Sequence, residues 1–269
     1  MYKGAVFFDY DGTLTDEREG IFFPTEKTIE TLKGLRANGY LTVIATGRMK
    51  PLTVQVSDLF SGYVTSDGSY AEIDGVTVCD RLIDEDIQHE AMKFCEENGM
   101  YYALERQNAA YTNGTEDKHF LDMLDNFKLS RKYYRPLSEQ PNVRANKMMV
   151  SYEDENAVKA FAERFRGRLT VSPHRFFLSA DVDACGITKA VGIKAIIEHL
   201  GIDIDNTYAI GDGTNDVAMI KTVGHGVAMG NHTPLLDGVA EFYTKSVAGE
   251  GVYHAFHDHY KLSADVPRL

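Results

Sequence analysis

Short apolar runs that end in polar residues recur in the first and last thirds of the chain. Continuous apolar runs of this length are typical of strands buried on both faces, as in a parallel sheet that is covered by helices. Four runs share the pattern: residues 5–8 before Asp9, 41–45 before Thr46, 208–210 before Gly211, and 226–229 before Gly230.

Helical patterns separate these runs. Residues 25–38 place apolar side chains on one face, with Thr25 as a candidate N-cap and Gly39 where a helix would end. Residues 189–200 form a second such segment, which stops at Gly201. Strands that alternate with helices predict the fold class: a Rossmann-like, doubly wound α/β domain with a mostly parallel sheet.

The middle of the chain has a different order of patterns, α-β-β-α-β-α-β-β. It predicts a small α+β domain inserted in the α/β domain, after a hairpin at residues 71–78 that turns at Asp74-Gly75. We therefore expect a core domain at residues 1–82 and 184–269 and an inserted domain at residues 83–183. The predicted elements of the insertion are helices at residues 84–98, 116–127 and 155–165 and strands at residues 101–104, 109–112, 147–152, 169–172 and 175–180.

Composition and charge narrow the choice of partner. The 269 residues carry 28 Lys and Arg against 40 Asp and Glu, a formal net charge of 28 − 40 = −12. This charge disfavours nucleic acid and acidic membrane surfaces, and leaves a local basic pocket for a small phosphate as the expected anion site. Three widely spaced cysteines and an N-terminus that reaches Asp9 too soon for a signal peptide indicate a cytoplasmic protein. We expect a monomer or a weak homodimer.

Two acidic residues follow the first apolar run, in Asp9-Tyr10-Asp11-Gly12-Thr13. In an open α/β sheet the ligand crevice lies at the carboxyl ends of the strands, so both carboxylates are expected to face it. Placing two anions together in a half-buried site costs free energy unless a cation joins them. Taken alone, the segment could also be a loop that is capped by Asp side chains.

A second acidic turn, residues 211–216 (Gly-Asp-Gly-Thr-Asn-Asp), follows another apolar run. If the two strands are neighbours, the acidic side chains of both turns converge on one spot. Carboxylate oxygens without His or Cys favour a hard cation, so we predict a Mg²⁺ site there. Taken alone, the second turn could also be a capped helix N-terminus. The predicted metal residues are Asp9, Asp11, Asp212 and Asp216.

Two further segments offer groups that could bind an anion. Thr46-Gly47 follows the second run and offers a hydroxyl and backbone N–H groups. Lys189 opens a helix, where its charge opposes the helix dipole and therefore has another purpose. Each segment by itself also fits a blander interpretation, an ordinary strand-to-loop turn or a surface lysine.

Four motifs in this order resemble those of the haloacid dehalogenase-like (HAD) phosphohydrolases: DYDGT, the Thr of ATGR, Lys189, and GDGTND. The insertion lies between the second and third motifs, 189 − 46 = 143 positions apart, and this resembles the class with a type C2 cap domain. Residues 226–231 and 244–252 resemble the Cof-type subfamily. One departure is Asp67-Gly68-Ser69, where such proteins often carry Asn-Gly-Ala.

The resemblance implies a Mg²⁺-dependent phosphomonoester hydrolase that acts on small phosphorylated metabolites, such as sugar phosphates, through an aspartyl-phosphate. It implies Asp9 as the nucleophile and Asp11 as general acid and base. The metal would be held by Asp9, the Asp11 backbone carbonyl and Asp212, with Asp216 steadying bound water or Lys189. The implied ligands of the phosphoryl group are Thr46, Gly47, Lys189 and Asn215.

Two other functions stay open at this point. One is a phosphomutase of the same fold, which would pass the phosphoryl group back to a sugar. The other is a non-catalytic regulator that binds a phosphorylated metabolite, which is less expected because Asp9 and Asp11 are both present. The candidate substrate contacts of the inserted domain are Arg106, Arg144, Lys147 and His174. The cluster His254, His257, Asp258 and His259 is interpreted as the polar face of a terminal helix rather than a metal site.

Overall fold

The chain divides into two compact units, each with its own sheet and hydrophobic core. The computed structural model describes residues 2–126, 129–174 and 177–264. Within these residues, no helix combines the length and the apolarity that crossing a bilayer requires. The two-domain division remains a proposal, which the units support. The core unit contains residues 1–47, 53–79 and 188–269, and the inserted unit contains residues 48–52 and 80–187.

The strands fall into two sheets. The sheet of the core contains β1 (Gly4–Phe8), β2 (Tyr40–Ala45), β3 (Gly62–Thr65), β4 (Tyr70–Ile73), β5 (Val76–Asp80), β12 (Thr207–Gly211), β13 (His225–Ala228) and β14 (Phe242–Tyr243). The sheet of the inserted unit contains β6 (Tyr101–Glu105), β7 (Ala110–Thr112), β8 (Tyr134–Pro136), β9 (Lys147–Ser151), β10 (Leu169–Pro173) and β11 (Ser179–Ala184).

The helices complete the two units. The α-helices are α1 (Glu26–Ala37), α2 (Glu85–Glu97), α3 (Lys118–Asn126), α4 (Glu155–Arg164), α5 (Lys189–Leu200), α6 (Val217–Thr222) and α7 (Gly251–Tyr253), the last continuing as a π-helix at His254–His259. Short 3₁₀ segments lie at Glu17–Glu19, Lys50–Leu59, Ser66–Gly68, Arg131–Tyr133, Leu137–Glu139, Ile204–Asn206, Thr214–Asp216 and Pro234–Leu236.

The core sheet has the order β14-β13-β12-β1-β2-β3-β4-β5. Neighbouring strands from β14 to β3 are parallel, and β4 pairs antiparallel with β3. The predicted fold class is therefore confirmed. The predicted ends of two helices are confirmed as well, because Thr25 caps α1 and Gly201 ends α5 in the left-handed conformation.

Helices cover both faces of the core sheet because its strands are apolar on both faces. Phe7 and Phe8 are adjacent and fully buried, yet they belong to opposite hydrophobic clusters. Phe7 packs in the cluster that includes Ile193 of α5, and Phe8 packs with Leu32 of α1 and Phe256 of the π-helix. This three-layer arrangement explains the continuous apolar runs of the sequence.

The order of the core strands reverses between β1 and β12. From β1 the chain proceeds to β2 and β3 on one side, and it later returns to β12 on the other side. Open α/β sheets bind ligands outside the carboxyl ends of the strands at such a reversal. In the register, Phe8 lies between Ile210 and Ile44. The residues that follow β1, β2 and β12 therefore emerge together at one edge of the sheet.

The inserted unit has a sheet of order β10-β11-β9-β6-β7-β8. One face packs against α2 and α4 through residues such as Met148 and Phe161, and the other carries a cluster that includes Met149 and Phe120 of α3. The α+β class predicted for this region is confirmed, as are its three helices. The last residue predicted for the second helix, Phe127, lies outside the described residues.

In the inserted unit, one predicted strand was placed wrongly and one observed strand was not predicted. The predicted strand at residues 175–180 begins only at Ser179, and its residues 175 and 176 lie outside the described part of the chain. The hairpin closes where the His174 N–H donates to the Ser179 carbonyl, so the alternating segment 179–184 pairs with β10. Strand β8 was not predicted, because three residues that end in Pro136 show no apolar pattern.

Helix α5 packs unusually close to the core sheet at Gly192. A Cβ atom on Gly192 would lie 2.6 Å from a methyl carbon of Val64 in β3. Gly68 allows a similar approach at the start of the helix, since its φ is +101° and a Cβ there would lie 2.1 Å from the Thr188 carbonyl oxygen. These contacts fix the position of Lys189, the first residue of α5.

We expect Gly192→Ala to destabilise the protein, although alanine normally favours a helix over glycine by about 1 kcal/mol. The reason is the contact with Val64, and forced overpacking of this kind costs about 1–3 kcal/mol. Urea unfolding measures the change. Lys194→Ala, at an exposed position of the same helix, is the control and should change stability by less than about 0.5 kcal/mol. A stabilised Gly192→Ala protein would contradict the close packing.

Candidate active site

Predicted site residues follow three of four neighbouring parallel strands of the core unit, and the turn after the fourth, Ser66-Asp67, was not predicted to belong to the site. Asp9 follows β1, Thr46 follows β2, Ser66-Asp67 follows β3, and Gly211-Asp212 ends and follows β12. Asp9 and Asp212 are at the reversal of strand order, since β1 and β12 pair directly and the Asp9 N–H donates to the Ile210 carbonyl at 3.0 Å. The topology therefore brings together two acidic turns that are about 200 residues apart in sequence.

Gly12 allows the two acidic turns to meet. Its φ is +81°, a left-handed conformation that favours glycine, and a Cβ there would lie 2.3 Å from the Asp212 Oδ1. The Gly12 backbone therefore rests directly against the Asp212 carboxylate. Two features therefore favour glycine at position 12: its φ and its contact with the Asp212 carboxylate.

Lys189 joins the first turn to the second. Its ammonium is fully buried and donates to Asp9 Oδ1 at 2.5 Å and to Asp216 Oδ1 at 2.6 Å. Burial lowers the pKa of this ammonium, but the carboxylates of Asp216, Asp9 and Asp67 together raise it by more. The net shift is upward, so Lys189 is positively charged at neutral pH.

Asp216 organises the second turn. Its Oδ2 accepts the backbone N–H groups of Asp212 at 2.9 Å and Gly213 at 2.8 Å, while its Oδ1 accepts from Lys189. The side chain is fully buried, and Gly211 leaves room for it, because a Cβ on Gly211 would lie 2.5 Å from the Asp216 carboxyl carbon. Both oxygens of Asp216 are therefore occupied by protein donors.

The carboxyl groups that face the crevice hold protons more tightly than ordinary aspartates. Burial raises the pKa of Asp9 well above its usual range, and Asp216 raises it further against the opposing effect of Lys189. Burial and then Asp216 raise the pKa of Asp212 to about 7. Asp11 adds a smaller upward shift to both pKa values. A cation between these carboxylates would reverse the shifts and stabilise their charged forms.

The acidic residues fit a hard cation. Asp9, Asp212 and Asp216 each offer a carboxylate oxygen, and these oxygens lie within 4.8 Å of one another. All are hard oxygen donors, as Mg²⁺ prefers. Because Asp216 already accepts three N–H donors, Asp9 and Asp212 are the better candidates for direct contact. The predicted fourth residue, Asp11, lies nearby with an exposed side chain and is not a member of this group.

The predicted anion ligands other than Lys189 lie after the two strands that flank β1: Thr46 and Gly47 follow β2, and Asn215 follows β12. Thr46 is buried. The next residue, Gly47, lies against the Asp67 carboxylate. The exposed Asn215 donates through Nδ2 to Asp67 Oδ1 at 3.0 Å. Asp67 thus connects the second motif to the fourth.

Two residues near the site carried little signal in the sequence. Asp67 differs from the pattern of the resembling family, which was its only signal. Arg18 pairs with Asp16 through two hydrogen bonds of 3.0 and 3.1 Å and lies 3.9 Å from the Asp212 carboxylate. In the sequence it stands in Glu17-Arg18-Glu19, which looks like an ordinary solvated charge run.

The basic residues proposed for the inserted unit have protein partners there. Arg106 binds Asp80 and Asn146, and Arg144 binds Glu85 and the Ile83 carbonyl. Lys147 is buried and binds Asp181 at 2.8 Å, and His174 lies 3.4 Å from the same carboxylate. Their role as substrate contacts remains a prediction.

Known proteins resemble the chain over nearly all of its length. The family model of the haloacid dehalogenase-like hydrolases matches residues 6–256. Putative phosphatase YkrA of Bacillus subtilis is 31% identical over 260 residues, which cover 95% of this chain and 97% of that protein. A 5-amino-6-(5-phospho-D-ribitylamino)uracil phosphatase of the same organism, YitU, is 22% identical over 96% of this chain and 97% of its own.

Solved structures share the fold. A protein of Geobacillus kaustophilus HTA426 superposes with a TM-score of 0.85 at 27% identity, covering 97% of this chain and 99% of its own. The HAD subclass IIB sugar phosphatase BT4131 superposes with a TM-score of 0.78 at 29% identity, covering 96% of this chain and 99% of its own. The resemblance inferred from the four motifs is confirmed, and the chain belongs to the haloacid dehalogenase-like hydrolases.

Proposed function

We propose that this protein is a Mg²⁺-dependent phosphatase that hydrolyses small phosphorylated metabolites through an aspartyl-phosphate on Asp9. The observation that carries the proposal is the buried Lys189 ammonium between Asp9 and Asp216, beside Asp212 at the reversal of strand order. A nucleophilic carboxylate held by a cation, with hard oxygen ligands beside it, is suited to phosphoryl transfer. The three free, widely spaced cysteines are the ground for proposing a cytoplasmic location.

Asp9 is the proposed nucleophile. A carboxylate that approaches a phosphate dianion is repelled by roughly 8 kcal/mol, for two pairs of unit charges at about 4 Å and an effective dielectric constant of 20. Lys189 offsets part of this repulsion and fixes the orientation of the carboxylate through Oδ1. The other oxygen, Oδ2, is then the candidate for attack on phosphorus.

Asp11 is the proposed general acid and base. Its side chain is exposed, in contrast to that of Asp9, so it can reach a leaving group and then an incoming water. The departing alkoxide needs a proton in the first step, and the water must lose one in the second. One carboxyl group that gives and later takes a proton serves both steps.

Asp9, the Asp11 backbone carbonyl and Asp212 would hold the metal, and Asp216 would act through Lys189 and the Asp212 backbone. Bound Mg²⁺ would supply charge neutralisation to the phosphoryl oxygens. Thr46, Gly47 and Asn215 would hydrogen-bond the same oxygens, together with Lys189. Thr46 and Gly47 lie on one side of Asp9 and Asn215 on the other, since β1 lies between β2 and β12.

Sugar phosphates and related phosphorylated polyols are the proposed substrate class. BT4131 is named a sugar phosphatase, and the substrate in the name of YitU carries a phosphorylated ribityl chain. A sugar phosphate and the phosphorylated ribityl compound are both phosphate monoesters of polyhydroxylated carbon chains. In such compounds the leaving group is an alkoxide, which matches the proposed proton transfer from Asp11.

We expect Asp9→Asn to abolish release of phosphate from a panel of sugar phosphates, with a loss of at least about 10⁴-fold, because an amide is a poor nucleophile. The amide oxygen can still accept from Lys189, so the fold should survive. A colorimetric phosphate assay with Mg²⁺ measures the loss. Asp58→Asn is the control, because it makes the same change of side chain at an exposed carboxylate with no proposed chemical role.

Phosphate release that persists in Asp9→Asn would refute the assignment of the nucleophile. An isomerised sugar phosphate without free phosphate in the wild type would identify a mutase instead. Wild-type protein that binds a sugar phosphate without converting it would identify a regulator.

We expect the metal-free protein to lose stability as the pH rises from about 4 to about 7. The sign follows from Asp212, whose pKa is about 7 in the folded protein and 3.8 when unperturbed, so the folded state binds more protons in this window. The contribution of Asp212 to this loss is on the order of 4 kcal/mol, since its pKa rises from 3.8 to about 7 and one pKa unit corresponds to about 1.4 kcal/mol. Thermal unfolding in EDTA at several pH values measures it.

Mg²⁺ should restore the lost stability, and more so above about pH 7, where it no longer competes with a proton on Asp212. Asp212→Asn is the matched variant, with a flatter pH dependence in EDTA and little response to Mg²⁺. Identical pH profiles of the two proteins, with no response to Mg²⁺ in either, would contradict the proposed metal site.

A further inference from the structure

Asp67 occupies a strained and buried position at the end of β3. Its φ is +51° and that of Ser66 is +47°, so two consecutive residues other than glycine adopt the left-handed region. Such conformations persist only where the surroundings hold them, and they concentrate at functional sites. The side chain is 9% exposed. Neither its charge nor its strain is used by the mechanism proposed above.

Asp67 contacts three residues that are proposed to bind the phosphoryl group: Asn215, Thr46 and Gly47. Its Oδ1 accepts from Asn215 Nδ2 at 3.0 Å, and its backbone N–H donates to the Thr46 carbonyl at 3.2 Å. Its carboxylate lies over Gly47, where an added Cβ would be 2.9 Å from Oδ2. Asp67 therefore spans the space between the second and fourth motifs.

Asp67 also acts on Lys189 electrostatically. After Asp216 and Asp9, Asp67 is the next carboxylate that raises the pKa of the Lys189 ammonium. Its negative charge therefore offsets part of the positive charge that would attract an anion. A further negative charge next to phosphate-binding groups weakens the attraction for a phosphate dianion. An uncharged Asn at this position could make the same bond to Asn215 without that repulsion.

We propose that Asp67 is a positioning residue that holds Asn215 in place and, through its negative charge, weakens binding of free orthophosphate so that the product leaves the site. The inference rests on the proposed phosphatase function. It adds a role in product release for a residue that is otherwise part of the scaffold.

Product release explains why a repulsive charge is useful here. Orthophosphate makes the same contacts as the phosphoryl group of the substrate, and a site that neutralises that group also retains the product. Repulsion by Asp67 weakens the binding of both the substrate and orthophosphate. The substrate regains affinity through contacts of its leaving group, and orthophosphate has no leaving group. Release of product commonly limits turnover in enzymes, so weaker product binding favours a higher kcat.

Asp67→Asn separates charge from geometry. The amide oxygen can still accept from Asn215, and asparagine tolerates the left-handed conformation well. We expect orthophosphate to bind the Mg²⁺-loaded variant about tenfold or more tightly than the wild type, as measured by isothermal titration calorimetry. Inhibition of sugar phosphate hydrolysis by added orthophosphate should strengthen by the same factor.

Asp58→Asn is the matched control, because it makes the same change in net charge at an exposed position on the 3₁₀ segment before β3. Its affinity for orthophosphate should equal that of the wild type. If Asp67→Asn does not fold, the double variant Asn215→Ala/Asp67→Gly takes its place, with Asn215→Ala as the reference instead of the wild type. Neither protein has the bond between residues 67 and 215, so the two differ in the charge at position 67, where glycine suits the positive φ.

Affinity for orthophosphate that is equal to or weaker than that of the wild type in the folded, uncharged variant would overturn the inference. That result can be told apart from failure of the proposed function. Wild-type protein that hydrolyses sugar phosphates while the variant shows unchanged orthophosphate binding refutes only the role of Asp67. Wild-type protein without phosphatase activity refutes the proposed function, and the inference about product release falls with it.

Discussion

The buried Lys189 ammonium between Asp9 and Asp216 is the interaction on which the rest of the site depends. Removing one partner of a buried ion pair leaves an uncompensated charge, which typically costs about 3–5 kcal/mol. The bonds of Lys189 to Asp9 and Asp216 therefore join three elements: the end of β1, the start of α5 and the turn after β12. Close packing at Gly68 and Gly192 holds the helix near enough for Lys189 to reach both carboxylates.

The same network leaves the site with more negative than positive charge. Asp9, Asp212 and Asp216 lie close together with one ammonium between Asp9 and Asp216, and burial, followed by repulsion from Asp216, raises the pKa values of Asp9 and Asp212. In the proposed mechanism a divalent cation would relieve that repulsion, and the site would then attract an incoming phosphate. In the proposal above, Asp67 adds a further repulsion beside Gly47 and Asn215. The proposed charges would thus bind a phosphate ester in the presence of the cation and still allow orthophosphate to leave.

Sequence patterns predicted the fold class and the meeting of the two acidic turns, because buried parallel strands and their polar ends are local features. They did not predict the bond between Asp67 and Asn215, which requires a left-handed turn at Ser66-Asp67 and a contact across 148 positions. Strand β11 was placed four residues early because the apolar Phe177 and Leu178 precede it, whereas the backbone bond from His174 to Ser179 sets the register.

The most direct test of the central claim is a crystal structure of the protein with Mn²⁺ in place of Mg²⁺, with the metal located by its anomalous scattering. The account predicts one strong peak in contact with the carboxylates of both Asp9 and Asp212, while Lys189 remains bonded to Asp9 and Asp216. A peak that touches only one of the two carboxylates, or a Lys189 side chain that points away from Asp9, would contradict it.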